Sequence, residues 1–131
     1  MPKQIVMIGS SPTTRGGVAA VVKVYQAQGL FSRWPLLYVA THRDGSKFVK
    51  GWQAISSWCS VMARLLTGRV ALLHVHMSSG PSFWRKALFI LPARWLGVSY
   101  VVHLHGGRFI DFYRDHCPSW AQRFVRNVFR R

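Results

Sequence analysis

The stretch VVHLHGGRF, residues 101–109, combines residue types that can do chemistry at the end of a strand. Its alternating pattern places His103 and His105 on one face of the strand, and only His105 lies at the exit. An imidazole there can donate, accept or transfer a proton near neutral pH. Gly106 and Gly107 allow backbone torsions closed to other residues and leave N–H groups that a ligand can approach closely. We therefore predict a catalytic or binding loop with His105 at its tip.

A second histidine pair, His74 and His76, faces one way on the preceding predicted strand. Together with His103 and His105, this pair invites a four-histidine metal site. Metal-bound histidines usually need carboxylate or carbonyl partners, however, and none of the three acidic residues is near, which favours a chain with no metal. His74 and His103 are then interpreted as satisfied core residues. His76, at a strand exit, is predicted to be functional beside His105.

A glycine loop, residues 10–17, connects the first predicted strand to a helix. It matches neither GxGxxG nor the P-loop pattern, which counts against dinucleotide-binding and simple ATPase sites. Gly16 and Gly17 nevertheless open the helix beside Arg15, so free backbone N–H groups and the positive end of the helix dipole can hold a phosphate there. A tight turn without a ligand is the alternative, and the sequence leaves both open.

Four short apolar runs alternate with segments of helical periodicity. The runs are residues 3–9, 36–40, 70–76 and 99–105, and helices are predicted from residue 18, over 48–66, from 81 and from 119. This alternation predicts right-handed crossovers in one domain over residues 1–131, an α/β fold with a mainly parallel sheet and helices on both faces. With the strand order 2-1-3-4, a ligand crevice lies beyond the carboxyl ends of the first and third strands.

Tryptophans recur at helical spacing and are interpreted as mostly core residues. The predicted apolar faces are Trp52, Ile55, Trp58, Cys59 and Met62 in one helix and Trp84, Ala87, Leu88, Leu91 and Trp95 in the next. Pro92 lacks a backbone donor and is expected to kink or end its helix. The two cysteines have no close spacing, which favours reduced thiols over a disulfide or zinc framework.

The chain is strongly basic, with 18 Lys and Arg, 3 Asp and Glu, and a formal net charge of +15. This charge implies an anionic partner such as nucleic acid, a lipid surface or a phosphorylated substrate. No base-reading signature accompanies it, which counts against specific nucleic-acid binding. The last helix has an apolar side (Trp120, Phe124, Val128) opposite its arginines, which suits either packing on the domain or contact with an anionic membrane surface.

No uncharged apolar run approaches the ~20 residues of a membrane-spanning helix. The N-terminal apolar run, residues 5–8, is too short for a secretory signal. A cytoplasmic location is therefore predicted, with peripheral contact at the inner face of the membrane compatible with the charge.

The segments VALLHVHMSSGPSFWRK and VSYVVHLHGGRFIDFY resemble the N-terminal domain of the group 1 glycosyltransferases, also called family 4, and TTRGGV resembles the glycine loop of that family. The resemblance implies a GT-B architecture, in which two Rossmann-like domains face each other across a cleft. It also implies retaining transfer of a sugar from a nucleotide-sugar donor to a glycan or lipid-linked acceptor, without an essential metal or another cofactor.

The resemblance also implies roles for particular residues of the two loops. Gly16 and Gly17 approach the donor phosphate and sugar. His105 contacts the transferred sugar as the catalytic residue, and Gly106 and Gly107 shape its loop.

Three further substrate-binding residues, Arg15, His76 and Arg108, are predicted from their positions and chemistry alone. The chain ends at Arg131, before the second, nucleotide-sugar domain of the family. It is therefore expected to be a truncated enzyme, a partial gene product or half of a split transferase with a separate partner chain, and inactive alone. The alternative is a non-enzymatic basic α/β module that binds nucleic acid or anionic lipid.

Overall fold

The computed structural model describes residues 2–130, so the predicted single domain extends one residue beyond it at each end. The elements in order are β1 (Gln4–Ser10), α1 (Gly17–Ala27), α2 (Leu30–Arg33), β2 (Leu36–His42), α3 (Lys47–Leu66), β3 (Val70–Met77), α4 (Pro81–Trp95), β4 (Ser99–Leu104), α5 (Phe109–Asp111), a π-helical turn (Phe112–His116) and α6 (Ser119–Phe129). The strands and long helices lie close to their predicted bounds. The sequence did not predict the short elements α2, α5 and the π-helical turn.

The sheet has the strand order β2-β1-β3-β4, and every neighbouring pair is parallel. This confirms the predicted α/β fold class and the predicted strand order, and it is consistent with a Rossmann-like fold. The chain leaves β1 toward one edge of the sheet and β3 toward the other. The loops that follow these two strands therefore diverge and leave a crevice between them.

The two faces of the sheet are covered by different helices. Val75 and Met77 of β3 join the main hydrophobic core, to which α3 and α4 also contribute. His74 and His76 point to the opposite face, because side chains alternate along a strand. On that face the ring of Tyr25 in α1 lies 6.1 Å from the ring of His76. Helices therefore lie on both faces, as the sequence predicts.

The predicted apolar face of α4 is wrong for two of its five residues. Leu88 is 59% exposed and Trp95 is 82% exposed. The buried residues are Phe83, Lys86, Ala87, Phe89, Ile90 and Ala93, of which Ala87 alone was predicted. Two apolar stripes about 100° apart run along this helix, an outer one with Leu88 and Trp95 and an inner one with Phe83 and Ile90. The helical periodicity of the sequence fits either stripe, so it does not show which one is buried. The small side chains of Ala87 and Ala93 allow the second stripe to lie close against its neighbours.

Pro92 does not end α4, which continues to Trp95. A proline has no N–H to donate to the carbonyl one turn earlier, which here belongs to Leu88. The indole N–H of Trp58 in α3 donates to that carbonyl oxygen instead, at 3.1 Å. The acceptor that Pro92 leaves free is thus satisfied by the neighbouring helix, and the hydrogen bond joins α3 to α4.

The prediction that the tryptophans mostly lie in the core is also wrong. The exposed tryptophans are Trp34, Trp52, Trp58, Trp95 and Trp120. Of the residues predicted to face inward in α3, Met62 alone is buried, and Ser57, Val61 and Leu65 complete the buried face. Spacing identifies this helix, but Trp52 and Trp58 lie outside its buried face.

The last helix packs on the domain, which was one of its two predicted alternatives. Ala121, Val125 and Val128 belong to the main core, and the ring of Phe124 stacks on Trp84 of α4 at 5.5 Å. Most of the apolar side of α6 therefore packs on the domain, while Trp120 is 66% exposed. Within residues 2–130, no helix is both long enough and apolar enough to cross a bilayer.

Candidate functional site

A cleft of about 320 Å³ lies where the carboxyl ends of β1 and β3 meet the loop after β4. Sequence-predicted residues from two distant segments line it together, namely Arg15, Gly16, Gly17, His105 and Gly106. Ser10, Thr14 and Ser78 add hydroxyl groups to its wall. The crevice expected from the strand order therefore exists, and five of the residues expected to use it line it.

The glycine loop presents backbone donors to this cleft. Gly16 precedes α1 with a φ of 145°, a conformation that residues with side chains rarely adopt, and no side chain caps the helix. A Cβ added at Gly16 or Gly17 would meet nothing within 4 Å, so the space in front of the loop is open. With no acidic residue in the first turn and Arg15 adjacent, this end of α1 favours an anion.

Thr14 fixes the shape of the glycine loop from inside. Its side chain is buried, and its hydroxyl donates to the carbonyl of Ser11 at 2.7 Å. The backbone N–H of Thr14 donates to the same carbonyl at 3.0 Å. These bonds close a turn just before Arg15, so the loop is held in place without help from a ligand.

His105 stands at the wall of the cleft, one residue beyond the end of β4. Its backbone N–H donates to the carbonyl of Met77 at 2.8 Å, and Gly106 follows with a φ of 92° that favours glycine. Its ring lies 4.2 Å from that of His103 between centroids. Burial, and secondly His103, lower the pKa of His105, so its imidazole is neutral near pH 7.

His76 lies behind His105 rather than in the cleft, so its prediction as an exit residue in contact with substrate is wrong. It is only 1% exposed, because β3 continues to Met77 and Tyr25 of α1 covers its face. Its Nδ1 atom lies 2.8 Å from Nε2 of His105. Burial first, and then the neighbouring histidines, lower the pKa of His76 to about 3. His76 therefore holds the ring of His105 in place through this hydrogen bond.

The inner histidines are not the fully satisfied core residues that the sequence predicted. His74 and His103 are half-buried, and Nε2 of His74 is buried without a hydrogen-bond partner among the described residues. Nε2 of His76 is in the same condition. One ring nitrogen from each of these three residues lies within 4.8 Å of the others, so they are the described residues placed to hold a metal ion.

Arg108 and Gly107 lie outside the cleft. Arg108 lines a separate cavity of about 440 Å³, with Asp111 and His116. Gly107 is exposed, and a Cβ added there would meet nothing within 4 Å. The loop turns at Gly106, so residues two positions apart face different cavities.

Sequence reasoning missed Lys86, which is only 2% exposed in α4. Burial, and secondly Arg85, lower the pKa of Lys86 to about 8. The available signal for its burial was its helical spacing from two apolar residues, because it lies three residues after Phe83 and four before Ile90. Gly9 was also missed: a Cβ there would lie 2.6 Å from the hydroxyl of Tyr38 in β2 and 3.1 Å from Val18 in α1, so glycine leaves room for both beside the cleft.

An apolar groove of about 470 Å³ runs between α3 and α4, separate from the cleft. It is lined mainly by Ile55, Trp58, Leu88, Leu91, Pro92 and Trp95. Thr41, near the end of β2, and Arg85 are the polar residues in its wall. The indole N–H bond of Trp58 to the carbonyl of Leu88 fixes one wall against the other.

Comparison of the chain with protein-family models, with curated proteins and with solved structures finds no match.

Proposed function

We propose that this chain is the acceptor-side N-terminal domain of a retaining glycosyltransferase of GT-B architecture. It takes part in the transfer of a sugar from a nucleotide-sugar donor to a glycan or lipid-linked acceptor. The observation that supports this proposal is the meeting of His105 and Gly106 with Gly16 and Gly17 in one cleft. These residues lie about 90 positions apart in the sequence, and both segments carry the motifs of the resemblance.

The glycine loop is suited to the charged part of the donor. Phosphate oxygens accept hydrogen bonds from backbone N–H groups at a helix N-terminus, and the helix dipole favours their charge. Gly16 and Gly17 leave these groups accessible, and Arg15 adds a guanidinium at the rim of the cleft. The loop thus stabilises negative charge that increases on the leaving group during transfer.

His105 is suited to the sugar, because its neutral ring can donate one hydrogen bond while His76 fixes its orientation. Two tautomer pairs are compatible with the bond between the rings. If His76 donates from Nδ1, its buried Nε2 is an unpaired acceptor; otherwise that atom is an unpaired buried N–H, the rarer condition. The favoured pair leaves the proton of His105 on Nδ1, available to a ligand.

The proposal requires a second α/β domain that holds the nucleotide, either in the same polypeptide or in a partner chain. Catalysis depends on positioning both substrates and on stabilising developing charge from both sides of the cleft. The 131-residue chain alone is therefore expected to transfer no sugar.

The test is sugar transfer by this chain assembled with a C-terminal nucleotide-sugar domain, using a panel of nucleotide sugars. His105→Ala is expected to lower kcat/KM by ~10²-fold or more, because a group that acts in the transition state is lost. His116→Ala is the matched control, since His116 is exposed on the π-helical turn and lies outside the cleft.

Stability must be measured beside activity in this test. His105→Ala also removes the hydrogen bond to His76, which costs about 1 kcal/mol, so activity is compared per folded molecule. Full activity per folded molecule in His105→Ala would remove the catalytic role of His105. Failure of the assembled protein to transfer any sugar would overturn the proposed function itself.

The α3–α4 groove favours an anionic membrane surface as a second partner. Large apolar side chains are exposed in and beside this groove: Trp95 in its wall is 82% exposed, and Trp52, three residues before the lining residue Ile55 in α3, is 66% exposed. Lys50 and Arg85 are exposed on the same two helices, and both lower the pKa of His42 after its burial does. Indoles flanked by basic side chains suit the interface of an anionic bilayer. We propose that this face docks there peripherally, which would also present a lipid-linked acceptor.

Sedimentation with lipid vesicles tests the docking surface. Binding is expected with vesicles that contain phosphatidylglycerol, and little with phosphatidylcholine alone. The double substitution Trp52→Ser and Trp95→Ser should weaken binding by at least ~10-fold, since two buried indoles contribute a few kcal/mol. Trp34→Ser is the control, because Trp34 is also exposed but lies beside α2. Equal losses in both variants would refute docking through α3 and α4. If neither variant weakens binding, the protein binds vesicles through its charge alone. That result would favour the alternative of a basic binding module.

A further inference from the structure

The histidine cluster, defined as His74, His76 and His103, contains buried polar atoms that nothing among the described residues satisfies. Nε2 of His74 and Nε2 of His76 are both buried and without a hydrogen-bond partner. The side chain of His76 is 1% exposed, so ordinary solvent does not reach it. Unsatisfied buried polar atoms are rare in folded proteins, and an ion is one of the few explanations for them.

The strand pairing brings these three side chains to one place. His76 and His103 are direct partners on β3 and β4, and His74 lies two residues earlier on the same face of β3. One nitrogen from each lies within 4.8 Å of the others. Zinc–nitrogen distances of about 2.0–2.1 Å give nitrogens about 3.4 Å apart in a tetrahedral site. Side-chain rotations that shorten these nitrogen–nitrogen separations by up to about 1.4 Å would therefore close the cluster on an ion.

His105 acts on this cluster from outside. Histidines that bind a metal use their other ring nitrogen to bond an outer partner, which fixes the tautomer and the ring orientation. The bond of 2.8 Å between Nδ1 of His76 and Nε2 of His105 has this form. The sequence favoured a chain with no metal because no carboxylate lies near the histidines. In the folded chain, the imidazole of His105 takes the place of a carboxylate as the outer partner of His76.

We propose that His74, His76 and His103 bind one divalent ion of the late first-row transition metals, of which Zn²⁺ is the representative. Three imidazoles with an open fourth position form an established zinc ligand set. Imidazole nitrogens suit zinc, nickel and copper, whereas magnesium and calcium require oxygen ligands. The ion would connect β3 to the edge strand β4 behind the cleft. This proposal is independent of sugar transfer, and no step of that reaction passes through the ion.

Metal titration of the tag-free, chelator-treated chain tests the proposal. Co²⁺ is expected to bind with a stoichiometry of one and to give a visible d–d absorption spectrum that Zn²⁺ abolishes. Zn²⁺ should also raise the thermal unfolding midpoint, since an ion that binds the folded state alone stabilises it. His103→Gln should weaken Co²⁺ binding by more than the roughly 10–100-fold that loss of an outer partner costs.

Two variants keep the result interpretable. His103 is half-buried on an edge strand, so His103→Gln is expected to fold, which circular dichroism would check. His116→Ala, on the exposed π-helical turn, should bind Co²⁺ as the wild type does. The proposal is overturned if folded wild-type chain gives no spectrum at millimolar Co²⁺, or if His103→Gln binds as tightly as the wild type. A loss of binding in His116→Ala would overturn it as well, because it would place the ion elsewhere.

Discussion

Lys86 is a charged residue with a buried side chain, only 2% exposed in α4. Its ammonium group is carried on the inward stripe of α4, and burial is the first cause that lowers its pKa to about 8. The ordinary pKa of a lysine side chain is 10.5, so between pH 8 and 10.5 the unfolded chain holds a proton that the folded chain has released. Stability therefore rises with pH across that window, and below pH 8 burial of the charge costs about 3 kcal/mol.

Lys86→Met is expected to stabilise the protein, because it keeps the buried carbon chain and removes the charge. The thermal unfolding midpoint at pH 7 should rise by roughly 5 °C or more. Between pH 8 and 10.5 the difference between wild type and variant should shrink, since wild-type Lys86 becomes neutral there. Thermal unfolding followed by circular dichroism at pH 7, 9 and 10 measures both effects. Lys50→Met, at an exposed position of α3, should change little.

A destabilised Lys86→Met at pH 7 would contradict this account. It would mean that the ammonium group makes a favourable interaction inside the fold that outweighs the cost of burying its charge.

The histidines show what alternation along a strand predicts and what it does not. Period-two spacing correctly assigned each pair to one face, and the glycines correctly marked His105 as the residue at the cleft. The spacing could not predict that His76 is buried, because its burial depends on the contact with Tyr25 of α1 and on the hydrogen bond to His105. Those contacts join residues 29 or more positions apart, and no local pattern encodes them.

At the scale of elements, α3 and α4 illustrate why helices are easier to predict than their buried faces. Both helices were predicted from periodicity, and Pro81 and Gly97 also marked the ends of α4. Each carries more apolar side chains than one face can bury, so the helix can be turned either way without violating its pattern. The choice depends on the packing of the neighbouring layer, where Ala87 and Ala93 fit and Trp95 does not.

The hydrogen bond from Trp58 to the Leu88 carbonyl should depend on Pro92. Trp58→Phe removes the donor and is expected to cost about 1 kcal/mol, because the acceptor then has to be satisfied by solvent. Pro92→Ala restores a backbone N–H one turn after Leu88, so Trp58→Phe should cost less in that background. The four proteins of this double-mutant cycle, compared by urea unfolding, are expected to show a coupling of about 0.5–1 kcal/mol.

A coupling of zero within error would mean that the indole stabilises α3 through apolar contact alone. Trp34→Phe serves as a control for the loss of an exposed indole, since Trp34 lies at the end of α2 and away from Pro92.

At the scale of the whole molecule, the fold class and the strand order followed from the sequence because alternating elements allow few topologies. The meeting of the glycine loop with the His105 loop followed in turn, since parallel strands end at one edge. The second cavity beside Arg108 did not follow, because the π-helical turn that forms its wall has no sequence signature. The α3–α4 groove was not predicted, because five residues that line it were assigned to the core: Ile55, Trp58, Leu88, Leu91 and Trp95.

The net charge of +15 predicts how the whole molecule binds nucleic acid. Basic side chains are exposed on several elements, including Lys23 in α1, Lys50 in α3, Arg94 in α4 and Arg123 in α6. Charge spread in this way neutralises phosphates without reading bases, because base recognition needs side chains directed into a groove by one element. Binding is therefore expected to be weak, insensitive to sequence and strongly weakened by salt.

Fluorescence anisotropy with two unrelated DNA duplexes of equal length measures this at 50 and 200 mM salt. The two affinities should agree within about threefold at each salt concentration, and both should fall by at least ~10²-fold at the higher one, as counterion release requires for several phosphate contacts. Phosphate contacts account for such a result completely. If one duplex is bound selectively and its complex survives 200 mM salt, the chain has a base-reading surface, and the basic-module alternative gains over the transferase.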